Sequence, residues 1–193
     1  MHTMRFVWTA GILATVGLLL SSCAGSSDYM RPSTSTLAPT SDKALVRFMR
    51  PSPVGPNVEF TLLDSNKLIG NIAAKSQFDY LADPGPHVFI ATAQNKVFLE
   101  ADLAPGKVYY VITRIYYGVG RFRVAFIAVT RGSEYWETVH QYEKELQRFE
   151  PDEAKLKAWE AQNKAQIDAS RAADDTEFKA KYDWPKLVPG DGR

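Results

Sequence analysis

"LADPGPHVFIATAQNKVFLEADLAPGKVYYVI", residues 81–112, decides the fold class. It contains three apolar or aromatic runs, "HVFIATA", "KVFLEADL" and "KVYYVI", each short and each ended by a turn signal. Pro84-Gly85 and Pro105-Gly106 repeat one device, because proline pre-sets φ for the first central position of a type II turn and glycine accepts the positive φ of the second. The echo is too short for a solenoid repeat. Working outward, "ALVRFMR" alternates, with Val46 and Phe48 on one face and Arg47 on the other. "NVEFTLLD" places Val58, Phe60 and Leu62 on one side, and "KLIGNIA", "QFDYLA" and "RFRVAFIAVT" complete the set. About eight short strands at this spacing predict a mainly β chain, a small antiparallel β-sandwich over residues 43–132.

The period changes after Glu134. Tyr135, Val139, Tyr142, Leu146 and Phe149 fall at helical spacing and predict one amphipathic helix. Pro151, Asp152 and Glu153 read as the first turn of a second, where proline loses no bond and acids meet the positive end of the dipole. "DTEFKAKYDW" reads as a short third. Two or three helices therefore form a C-terminal appendage over residues 133–184, before a polar tail at 185–193. Ala154, Ala158, Ala161, Ala165, Ala169 and Ala172 share one side of the second helix. That stripe is either a solvated face of the best helix former or a close-packing face for helix one or a second copy of the chain.

At the other end, residues 1–22 have the layout of a secretory signal. Arg5 precedes an apolar stretch of 15 residues, Phe6 to Leu20, and small residues follow. Fewer than about 18 apolar residues is short for a membrane-spanning helix. "LSSC", Leu20 to Cys23, resembles the lipobox of bacterial lipoproteins. The resemblance implies cleavage before Cys23, a diacylglycerol on its thiol and an acyl chain, such as palmitate, on its new amino group. Each buried methylene favours membrane association by about 0.8 kcal/mol, so several chains on one residue give a lasting anchor. Ala24 stands where an aspartate would retain such a protein in the inner membrane, which implies the outer membrane facing the periplasm. The mature chain would have 193 − 22 = 171 residues. Cys23 is the only cysteine, so no disulfide is expected to staple the fold. Residues 24–42, rich in Ser, Thr and Pro, read as a flexible tether spanning about 25 Å on average.

Charge divides along the same boundary. Residues 43–132 carry 11 basic and 6 acidic residues, 11 − 6 = +5, and residues 134–183 carry 8 and 13, 8 − 13 = −5. This favours docking of the two parts and argues against a large basic footprint for nucleic acid. No His-x-x-x-His or Cys-x-x-Cys spacing supports a metal site, and no Gly-x-Ser-x-Gly marks a serine hydrolase. No cofactor is expected. His87, just after a turn, reads as half-buried and structural, and His140, off the apolar stripe, as solvated. Glu100 and Asp102 point to one side of a strand, where paired carboxylates can do glycosidase chemistry; alternation with Leu99, Ala101 and Leu103 makes the wet face of a half-buried strand the simpler reading. The candidate ligand or partner surface is "RIYYGVGRFR", with Arg114, Tyr116, Tyr117, Arg121, Phe122 and Arg123 around a hairpin tip. Arginine beside exposed aromatics can hold anionic or ring-bearing ligands, such as an envelope glycan or protein.

Residues 44–115 resemble a family of uncharacterised bacterial lipoproteins whose domain of unknown function is similar in style to PEGA-type small β-sandwiches. The resemblance is carried by Arg50-Pro51, Asp64, Leu68-Ile69-Gly70, Tyr80, Pro84-Gly85, His87, Phe89, Gly106 and Tyr109-Tyr110-Val111. It implies the fold and an envelope setting, and carries no catalytic residues. The expected function is that of a membrane-anchored, non-enzymatic binding or structural lipoprotein. The alternative is an envelope enzyme or enzyme inhibitor using the arginine–aromatic hairpin or the Glu100/Asp102 face.

Overall fold

The expected strands all form, and the two Pro-Gly turns do more than reverse the chain. In the computed structural model, which describes residues 29–93, 95–118, 121–163, 165 and 183–193, eight strands fall where the alternation puts them. They are β2 (Ala44–Arg50), β3 (Phe60–Asp64), β4 (Lys67–Ile72), β5 (Ser76–Ala82), β6 (Gly85–Thr92), β7 (Lys96–Leu103), β8 (Val108–Gly118) and β9 (Arg121–Ala128). Three more come from the flanks: β1 (Met30–Pro32), β10 (Gln147–Pro151) and β11 (Lys186–Leu187). They build two sheets, ordered β1-β10-β5-β2-β8-β9 and β11-β7-β6-β3-β4. β5 lies in the first sheet and β6 in the second, and β7 in the second and β8 in the first. Each Pro-Gly turn therefore carries the chain across from one sheet to the other. Gly85 and Gly106 have φ of +110° and +72°, values that a side chain would strain.

These crossings make the topology mixed rather than antiparallel. Returning to the first sheet after Gly106, β8 lies parallel to β2, Leu45 opposite Val108 and Met49 opposite Ile112. β10 runs parallel to β5 and β11 parallel to β7. Antiparallel pairing holds in the local hairpins β3–β4, β6–β7 and β8–β9 and also joins β1 to β10, β2 to β5 and β3 to β6.

The main core lies between the sheets. Val46 and Phe48 from β2, Phe78, Val111 and Val124 face Phe60, Leu62, Ile69, Phe89 and Leu99. Phe48 stacks on Phe78 at 5.3 Å and meets Phe89 edge-on across the gap at the same distance. The other face of β2 is buried too, because α1 (Val139–Glu145) lies over it. Met49, Tyr110, Ile112 and Val129 form a second, smaller core with Val139 and Leu146.

Three differences from the sequence expectations share one cause, tertiary pairing of short segments. The first helix ends at Glu145, and the extended backbone of its C-cap, Leu146, leads into β10. Phe149, at the end of the helical stripe, reaches the main core as a strand residue opposite Phe78. The helix end is satisfied by Gln77, whose Nε2 donates to the carbonyls of Glu143 and Leu146, each at 2.9 Å. Within the expected tether, β1 pairs with β10, Met30 opposite Pro151, and buries Met30 in the core. Within the expected polar tail, β11 buries Leu187, and Arg193 and Val108 exchange both backbone hydrogen bonds. A second helix, α2, covers residues 153–163 and is entered through Asp152, whose carboxylate accepts from the Lys155 N–H at 3.3 Å. Residues 175–182 of the proposed third helix, Cys23 and the signal segment lie outside the described residues, while Asp183 and Trp184 are described and are not helical. No helix among the described residues is long and apolar enough to cross a membrane.

Candidate functional site

β8 outlasts β2. Its pairing with β2 stops at Ile112, while β8 and β9 continue together as a two-stranded ribbon. Register places Tyr116 opposite Arg123 and Tyr117 opposite Phe122. Alternation then sends Tyr116 and Arg123 to one face and Tyr117 and Phe122 to the other. The second pair meets edge-on at 4.7 Å, a cross-strand contact that pins the ribbon's register, while Tyr117 stays 74% exposed and Tyr116 47% exposed. The side chain of Arg121 lies outside the described residues.

Tyr116 and Arg123 open onto a cleft of about 450 Å³ between the β9 edge and β7, lined further by Val97, Phe98, Ala125 and Trp184. Phe98 and Trp184 stack at 4.6 Å with planes 13° apart, giving the cleft an aromatic wall. The edge of β9 is closed by Asn95. Its side-chain amide accepts from the Val124 N–H at 2.7 Å and donates to the Val124 carbonyl at 3.1 Å, as a neighbouring strand would. Arg114 does not join this group. It lies opposite Ala125 and lines a separate cleft with Lys75, Tyr135 and Tyr142. The six hairpin residues proposed from sequence are thus divided between two clefts and the ribbon tip.

The other residues read from sequence fall as follows. Glu100 and Asp102 share a side of β7 and line a cleft of about 420 Å³ with His87 and Lys186; Glu100 pairs with Lys186 at 3.3 Å and Asp102 is exposed. His87 is a structural group. Its Nδ1 meets Asp64 at 2.8 Å and its Nε2 meets the Asp83 carbonyl at 2.8 Å, so both ring nitrogens face acceptors and the ring is held as imidazolium. The Asp64 bond leads in raising its pKa above the ordinary histidine value, against the opposing effect of burial. Tyr80 donates to the same Asp64 oxygen at 2.8 Å, and burial, then that carboxylate, pushes its hydroxyl well above the usual tyrosine range. His140 keeps its side chain 45% exposed, in line with the solvated reading, but is also tied down by neighbours. It meets the Arg193 guanidinium through Nε2, and since a guanidinium only donates, Nδ1 gives its proton to Glu143 at 3.0 Å. On α2, Ala154, Ala158, Ala161 and Ala165 are exposed, so helix one does not pack on the stripe; Ala169 and Ala172 lie outside the described residues.

Two charged centres were not singled out from sequence. Beneath α1, Arg47 donates to both oxygens of Asp79, at 2.6 and 2.9 Å, and to Glu143, while Arg148 reaches Asp79 at 3.0 Å. Tyr110 donates to Glu143 at 3.0 Å. Burial pushes the Glu143 carboxyl up, but the bonds from His140, Tyr110 and Arg47 outweigh it and leave it below the usual range. Burial, then Glu143, raises Tyr110 to about 12. The second centre is Arg50, 0% exposed and bound by carbonyls alone. It donates to Val54 and Gly55 at 2.8 and 2.7 Å, to Ile72 at 3.4 Å and to Val58, and lies over the Phe60 ring at 4.7 Å. Desolvation lowers its pKa to about 10. The available signal was an arginine at each end of an otherwise apolar strand half, but its partners are set by register that the sequence does not state.

Comparison with protein-family models, curated proteins and solved structures finds no match. Among the described residues no group of three or more His, Cys, Asp or Glu side chains is placed to hold a metal ion.

Proposed function

We propose that this chain is a lipid-anchored envelope lipoprotein whose β domain is a non-enzymatic binding module. The anchor reading rests on the Arg5 signal and the "LSSC" lipobox at Cys23. β2 to β9 are read as the eight-stranded sandwich unit, with β1, β10 and β11 added from the flanks. Five residues, 24–28, lie between Cys23 and Tyr29, whose carbonyl already accepts from the Asp152 N–H of the folded domain. Their fullest extension is about 20 Å, so the domain would sit close to the outer-membrane surface facing the periplasm.

The observation that carries the binding reading is the Tyr116–Arg123 pair opening onto the Phe98–Trp184 wall. An exposed aromatic, a guanidinium and an apolar wall can together hold a ring-bearing ligand with acidic substituents, through stacking and charge-assisted bonds. A cell-wall glycan and an acidic, aromatic segment of an envelope protein both meet that description. The test uses full-length protein in detergent, with isolated cell-wall glycan and with outer-membrane vesicles. Tyr116→Ser with Arg123→Ser should reduce binding at least about tenfold, the loss of one stacking and one charge-assisted contact. Undiminished binding by the double variant would remove the cleft from the account.

A further inference from the structure

Where β8 outlasts β2, the space that β2 vacates is not filled by another strand. One wall is the loop after β2, with Pro51, Ser52 and Val54; the opposite wall is Tyr135 and Tyr142 from α1 and the turn before it. The floor is Ile112 and Thr113, and the volume is about 470 Å³. Two charged side chains line it, Lys75 and Arg114, and both are cations. Both are exposed, and neither has a hydrogen-bond or ion-pair partner among the described residues. Among the described residues no carboxylate lines it; the acid next in sequence to Tyr135 is Glu134, which together with burial, the larger cause, raises the Tyr135 hydroxyl pKa while Arg114 opposes that rise. Behind the loop sits Arg50, a third positive charge with carbonyls and no carboxylate as its ligands. Its field adds to that of the two lining cations, with solvent and salt screening the exposed pair more than the buried guanidinium.

Lys75 also holds an unusual backbone. Among the described residues it is one of two non-glycine residues with positive φ, at +57°, in the turn between β4 and β5. Glycine would occupy that conformation without strain. A lysine there costs stability and gains a charge at the mouth of the cleft. Its backbone is fixed by the Gln147 N–H, which donates to the Lys75 carbonyl at 3.1 Å.

We infer that this cleft binds a phosphorylated sugar, with Lys75 and Arg114 on the phosphate and the ring against Pro51 and the two tyrosines. The charge pattern selects the anion, since two unpaired cations and no lining carboxylate leave the recess positive before any ligand enters. Proline and tyrosine faces suit the C–H face of a sugar ring, and the hydroxyls of Ser52, Tyr135 and Tyr142 suit its hydroxyls. This site is separate from the Tyr116–Arg123 cleft and stands or falls without it.

The same chemistry occurs on a free sugar phosphate and on a phosphorylated glycolipid headgroup, so the test has two arms. In the first, full-length protein in detergent is titrated with glucose 6-phosphate, with glucose and with inorganic phosphate. In the second, it is mixed with phosphatidylcholine vesicles with and without a phosphorylated glycolipid. The variants are Lys75→Gly, which removes the cation while relieving the backbone, Arg114→Gln on an exposed strand position, and Arg123→Gln in the other cleft. Glucose 6-phosphate should bind more tightly than glucose or phosphate, more weakly at high salt, and at least about tenfold more weakly in Lys75→Gly and in Arg114→Gln. Arg123→Gln should bind as the wild type does. Selective binding in the vesicle arm alone, lost in the same two variants, would support the site and assign it to the lipid-borne form. Absence of binding in both arms, or loss in Arg123→Gln with none in the other two variants, would overturn it.

Discussion

Asp79 receives the guanidinium of Arg47 through both of its carboxylate oxygens, between neighbouring strands and beneath a helix that shuts out water. The two residues are direct register partners across β2 and β5, and both are under a tenth exposed. A bidentate pair in this position is not evidence of large net stability, since desolving two charges offsets most of their attraction. Its consequence is that neither partner can be removed alone. Asp79→Ala leaves two arginines, Arg47 and Arg148, facing an empty site, and should destabilise the domain by about 3–5 kcal/mol. Arg47→Met with Asp79→Leu, which removes both charges, should cost far less than the sum of the single changes. Urea unfolding of the three variants measures this, and additive losses would show that the two groups do not act together.

His87 sets a pH dependence whose direction follows from its partners. Its folded pKa is raised above the ordinary value of about 6.5, led by the bond to Asp64. The charged pair therefore stabilises the fold fully below pH 6.5, and this contribution is lost as pH rises through the folded pKa. The stability advantage of the wild type over His87→Gln should shrink steadily from pH 6 towards pH 9. Two unfolding free-energy profiles that stay parallel over that range would mean that the ring is not held as imidazolium.

Arg50 fastens the loop over residues 51–58 to the end of β2, and its planar fork is what lets one side chain serve several carbonyls. Arg50→Lys keeps the charge but concentrates it at one point, so it should lose much of the loop's order. Amide exchange at Val58, whose N–H donates to Gly55 within that loop, should speed up at least about tenfold in the variant. Unchanged protection there would assign the loop's order to its prolines instead.

The sequence shows the strands well because each has one face in the main core, and apolar residues two apart are enough to mark it. It shows the connections poorly. The turn "APG" is legible as a turn, but whether it reverses a hairpin or crosses between sheets depends on where β7 and β8 find partners. Phe149 illustrates the same limit, since it fits a helical stripe and an alternating strand equally well and only the opposing Phe78 decides. β1 and β11 are three and two residues long, below the length at which any period can be read. At the hairpin, the sequence marks Tyr116 and Arg123 only as two of six candidate residues, and it is the β8–β9 register that sets them opposite each other. The partition that sends Arg114 to another cleft follows from the end of β2, which composition does not mark.

The reading of this chain as an anchored envelope protein turns on Cys23. Intact-mass analysis of the protein extracted from membranes measures it directly. The expected result is a chain beginning at Cys23 whose mass exceeds that of the polypeptide by a diacylglyceryl group and one further acyl chain, with Cys23→Ser leaving the membrane fraction. A chain that keeps residues before Cys23, or that carries a free thiol there, would contradict it.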